Sequence, residues 1–80
     1  MDERKKLLEQ IRNNPNNVDY KDLIRLLDLS GFLLVSVKGD HYHYHRPGYR
    51  TLTVPCKNPL WIEIVKQALR LIDEIEDSQD

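Results

Sequence analysis

His41, His43 and His45 are the only histidines of the chain, and they take every second position of the segment Gly39-Asp40-His41-Tyr42-His43-Tyr44-His45-Arg46-Pro47-Gly48. Successive side chains of a β-strand point to opposite faces. A strand here would put three imidazoles on one face and Tyr42 and Tyr44 on the other. Histidine changes charge nearest to neutral pH, and an imidazole face suits solvent, RNA, a metal or a partner. The phenol face suits a core, with the hydroxyls reaching its edge. A metal site needs a third ligand beside a His-x-His pair. Cys56 is remote in sequence and no acidic residue follows the histidines closely. The expectation is therefore a site without metal or cofactor, with Cys56 a small, half-buried thiol.

The elements that must position this strand can be read on both sides of it. Residues 2–12 carry Leu7, Leu8 and Ile11 at helical spacing, with acids first and bases later. Asn13-Asn14-Pro15-Asn16-Asn17 breaks that helix. Asp19 is a candidate N-cap for a second helix through Leu23, Ile24, Leu26 and Leu27, which Gly31 should close. Phe32 to Val37 reads as a strand with Leu33, Val35 and Val37 inward. Lys38-Gly39-Asp40 is a turn, Pro47-Gly48 fits the centre of a type II turn, and Thr51 to Val54 is a third strand ended by Pro55. Asn58-Pro59 should start a last helix running to about Glu76. Trp61, early in that helix, serves either the core or a partner surface. The expected architecture is α+β, in the order α-α-β-β-β-α: a three-stranded antiparallel meander with helices packed on one face.

Eighty residues make one small domain. It divides into an N-terminal helix and loop (1–17), a core (18–76) and a frayed tail (77–80). No apolar run is long enough to cross a bilayer, and the N-terminal residues have no secretory segment behind them. A lone cysteine points to a reducing cytoplasm. The net charge of −1 is unevenly spread. Residues 38–57 carry about +3, from Lys38, Arg46, Arg50 and Lys57 against Asp40. Residues 58–80 carry about −4. The basic part coincides with the histidine strand, as expected of a face that meets phosphate.

From about Val18 to Ile75 the chain resembles the HicA toxin family. Lys38-Gly39-Asp40-His41-Tyr42-His43-Tyr44 is similar to that family's glycine, small residue, histidine, two variable residues and aromatic. Arg46-Pro47-Gly48, Thr53-Val54-Pro55 and Ile64-Val65-Lys66-Gln67-Ala68-Leu69 resemble the turn, strand end and closing helix that follow. Asp40 stands where Ser or Gly is common, and Cys56-Lys57 where many members carry a histidine.

The resemblance implies a fold like a double-stranded-RNA-binding domain, with an extra N-terminal helix. It implies the toxin half of a type II toxin–antitoxin pair: a cytoplasmic, metal-independent endoribonuclease that cleaves mRNA, with a HicB-type antitoxin covering this face. His41 matches the catalytic histidine and would act as acid/base. Lys38, Gly39, Asp40, His43 and Lys57 would contact RNA, the two lysines as phosphate clamps, with Asp40 also able to hydrogen-bond the His41 ring. Free N–H groups near Asn58 are a further phosphate site. The alternatives are a non-catalytic RNA-binding module and a protein-interaction domain of the same fold.

Overall fold

The computed structural model describes residues 2–77. In order these form α1 (Glu3–Asn13), α2 (Tyr20–Leu29), β1 (Leu33–Lys38), β2 (His41–His45), β3 (Leu52–Pro55) and α3 (Ile62–Asp77). The strands make one antiparallel sheet in the order β1-β2-β3. The fold is α+β, an open three-stranded sheet with three helices, as the residue pattern implied.

Local chemistry explains the elements. Asp2 and Asp19 cap α1 and α2, their carboxylates accepting from the N–H groups of Arg4 and Lys21. At the end of α2, Gly31 has φ +89°, Gly31 N–H donates to Asp28 C=O and Phe32 N–H donates to Leu27 C=O. This is the paired-bond helix stop that requires a left-handed residue, which glycine adopts without a Cβ penalty. Arg46 reinforces it from β2's far end, its Nη1 donating to Ser30 C=O at 2.6 Å. The Arg46-Pro47-Gly48-Tyr49 turn is of type II, with φ +89° at Gly48 and Tyr49 N–H donating to Arg46 C=O.

The core lies between one face of the sheet and the helices. Leu52, Val54 and Tyr44 face Leu23, Leu26, Leu27, Val65, Ala68 and Ile72, all buried. Fully burying a Leu, Val or Phe side chain stabilises the fold by roughly 1.5–3 kcal/mol. α1 is tied down by apolar contacts of Leu8 and Ile11 and by ion pairs. Arg25 holds Glu3 with two hydrogen bonds of 2.8 and 2.9 Å, Arg4 meets Glu76 at 3.4 Å, and Arg12 pairs with Asp73. The acidic end of α3 is thus partly neutralised by α1.

Three expectations are corrected. Leu33, Val35 and Val37 are all exposed. A bulge between Leu34 and Ser36 shifts the register, so Leu34 pairs with Tyr44 and Val37 with Tyr42, while Leu33 pairs with His45. One inserted residue swaps the faces of everything before it, and the edge strand lies beyond the helices' cover. The last helix begins at Ile62, not Pro59, because the Asn58 side chain accepts from Tyr20 N–H instead of capping α3. Asp77, assigned to the tail, ends α3; positions 78–80 lie outside the described residues.

Two outcomes test this packing. Gly31→Ala should cost about 1–2 kcal/mol in urea unfolding, because alanine resists the left-handed backbone and its Cβ would come 3.2 Å from Arg46 Nη1. Burial, and then the negative charge of Asp28, push the Tyr44 phenol above its ordinary value. Its folded-state ionisation lies above the unfolded value of about 10, so the stability it contributes is lost as pH rises through that range. Urea midpoints should fall between pH 9 and 11, and fall less for Tyr44→Phe; equal slopes in both proteins would refute the assignment.

Candidate active site and nucleic-acid interface

β2 is the central strand, and its alternation is set by burial. Tyr44 is 3% exposed and Tyr42 half-buried against the core, so the three histidines turn to the uncovered face. Each imidazole is held through Nδ1 by a different oxygen. His41 Nδ1 lies 2.9 Å from Asp40 Oδ1, His43 Nδ1 3.0 Å from Thr53 Oγ1, and His45 Nδ1 3.3 Å from Thr51 Oγ1. Among the described residues, no protein group hydrogen-bonds to Nε2 of any of the three rings. The result is a row of three oriented rings spaced roughly 6.5–7 Å along the strand, each with its outer nitrogen available.

His41 opens β2 directly after the Gly39-Asp40 turn. Gly39 has φ +59° there and Asp40 does not have a positive φ, the arrangement of a type II′ hairpin with glycine first. This turn puts the Asp40 carboxylate beside the ring that follows it. The His41 side chain is 48% exposed. With Nδ1–H donating to the carboxylate, the neutral ring carries a lone pair on Nε2.

The site residues named above fall into two groups. Lys38, Gly39, Asp40 and His41 come together at the β1–β2 turn, Lys38 being His41's register partner on the same face. Lys57 is brought to this end by Cys56, whose N–H donates to Asp40 C=O at 2.8 Å. His43 stands one alternation further along, opposite Thr53. Arg46 leaves the basic group: it is bound to Ser30 C=O and lies over the Tyr49 ring at the other end of β2. The helix start expected near Asn58 is displaced to Ile62. Among the described residues, no three His, Cys, Asp or Glu side chains are grouped to hold a metal ion, and no helix is long and apolar enough to cross a membrane.

Sequence reasoning missed Thr51 and Thr53, the oxygens that orient His45 and His43. The signal was present, since two threonines at alternate positions of a strand paired with the histidines must share their face. Trp61, left open between core and surface, is 56% exposed, with Lys57 Nζ 5.4 Å from its ring centre.

No protein family, curated protein or solved structure matches this chain.

The His41 hydrogen bond has a direct spectroscopic consequence. Ring ¹⁵N correlation spectra at high pH should show neutral His41 protonated on Nδ1. In Asp40→Ala the proton should move toward Nε2, while His45 is unchanged; an identical tautomer in both proteins would refute the bond.

Proposed function

We propose that this chain is a metal-independent endoribonuclease that acts on mRNA in the cytoplasm, the toxin component of a pair similar to HicA and HicB. Its fold would be like a double-stranded-RNA-binding domain with an added N-terminal helix. The observation that carries the reading is the Asp40–His41 pair, 2.9 Å apart on the uncovered sheet face with Lys38 across the ladder.

RNA holds its own nucleophile in the 2′-hydroxyl. In the proposed reaction His41 Nε2 takes the 2′-OH proton, the 2′-oxygen forms a bond to phosphorus and the P–O5′ bond breaks. The leaving 5′-oxygen takes a proton from solvent, giving a 2′,3′-cyclic phosphate and a 5′-hydroxyl end. Asp40 acts as a positioning residue that keeps the Nε2 lone pair on the substrate side and balances the charge that the ring acquires. Lys38 and Lys57 stabilise the charge that develops on the phosphate, a contribution that is often the larger share of catalysis. Gly39 lets the backbone turn tightly beneath the RNA, and His43 offers a second contact along the strand.

A second reading has its own support. Leu33, Leu34, Val35 and Val37 expose an apolar edge without a charge until Lys38. Such an edge favours a protein partner. In the proposed pair this partner is the antitoxin; without RNA activity the chain would be an interaction domain.

Purified protein incubated with mixed RNA in EDTA should yield cyclic-phosphate ends. His41→Ala should lower the rate by ~10²–10⁴-fold, the usual worth of a positioned acid/base. Cleavage by the variant at the parent rate would sink the catalytic assignment. RNA bound but uncut by the parent would leave a binding module. Absence of RNA binding even at low salt, where phosphate contacts are strongest, would leave the interaction domain.

A further inference from the structure

The loop between β3 and α3 is built to hold one aromatic ring outward. Leu60 is 2% exposed and anchors the loop in the core, whereas Trp61 beside it is 56% exposed. The loop is held at three points. Cys56 N–H donates to Asp40 C=O, Asn58 Oδ1 accepts from Tyr20 N–H, and Leu60 N–H donates to Val18 C=O, at 2.8, 3.0 and 2.9 Å. Exposure of the indole is therefore the conformation of a fixed loop. Tryptophan is highly buried on average, so an indole held out on a braced loop offers its open face to a planar ligand. The first brace joins this loop to the Asp40–His41 turn, and Lys57 Nζ stands 5.4 Å from the indole centre.

We propose that Trp61 is a nucleobase-stacking platform for single-stranded RNA, set beside the Asp40–His41 turn with Lys57 for the adjoining phosphate. This rests on the nuclease reading and names how its substrate is held. A base would lie on the indole face away from Lys57, so that cation, indole and base form one stack. Stacking of this kind is tolerant of sequence, because every base has a π-face, and it selects unpaired strands, whose bases are free to splay out. It would also fix the strand so that a neighbouring linkage lies over His41.

The test uses the full chain, whose only tryptophan is this one. The probe is a mixed-sequence 2′-O-methyl hexanucleotide, which lacks the attacking hydroxyl and stays intact. An abasic hexamer of the same backbone is the control. The base-containing strand should quench the tryptophan emission saturably and the abasic strand should not. By anisotropy of a labelled strand, Trp61→Ala should bind about 5- to 150-fold more weakly, the range for loss of one stacked base, and Trp61→Phe should recover much of the loss. In cleavage assays Trp61→Ala should raise KM more than it lowers kcat.

RNA bound equally by parent and Trp61→Ala, with no change in emission, would overturn the platform and leave the nuclease reading intact. Failure of the parent to bind any RNA would overturn both. Thermal unfolding of Trp61→Phe checks that the loop survives substitution.

Discussion

Burial of Tyr44 is the constraint on which the exposed chemistry depends. Its ring is nearly sealed under the helices, and Leu52 and Val54 on the neighbouring strand are buried with it. A β-strand has a side-chain period of two, so fixing one residue inward fixes its neighbours outward. His43 and His45 flank Tyr44, and His41 follows by the same rule. A slip of β2 by one residue would drive three imidazoles toward the core and put the phenols in water. Each inward imidazole would then lose its oxygen partner and face a desolvation cost of roughly 1–3 kcal/mol. The core thus selects the register, and the register presents the histidines.

The uncovered face is organised by short-range hydrogen bonds that the core does not supply. Each ring's inner nitrogen meets an oxygen from a neighbour on the same face or in the adjacent turn: Asp40, Thr53 and Thr51. These bonds differ in kind. Asp40 brings a charged acceptor within a two-residue turn, while Thr53 of β3 and Thr51 just before it offer neutral hydroxyls. One strand therefore displays chemically unequal rings, with the charged partner reserved for the ring nearest Lys38 and the Lys57 loop. The proposed division of labour, with catalysis at His41 and contact at His43, follows this inequality.

Much of this was readable in the residues, and the failures have physical causes. Alternation alone separated Tyr42 and Tyr44 from the histidines. Asp19 and Gly31 marked the two ends of α2 because a capping carboxylate and a left-handed glycine act through local chemistry. Two features were not local. The bulge in β1 is a property of pairing with β2, which the run of apolar residues hides, since Leu33 to Val37 looks equally plausible in either register. The start of α3 depended on Asn58 turning to Tyr20, a partner 38 positions away. Trp61 was undecided for the same reason, because Leu60 and Trp61 are adjacent apolar residues and only the path of the loop chooses which goes inside.

The bulge in β1 has a consequence for self-association. An uncharged apolar strand at the rim of a sheet is a template on which further strands add without limit, the route to fibres. The rim of this sheet has no charge along Leu33 to Val37 to prevent it. The extra residue at Val35 breaks the even spacing of amides and carbonyls along that rim. An incoming flat strand would find its ladder out of step midway. Resistance of this edge to strand addition therefore rests less on electrostatic repulsion than on a single backbone irregularity that spoils the growth of an ordered stack.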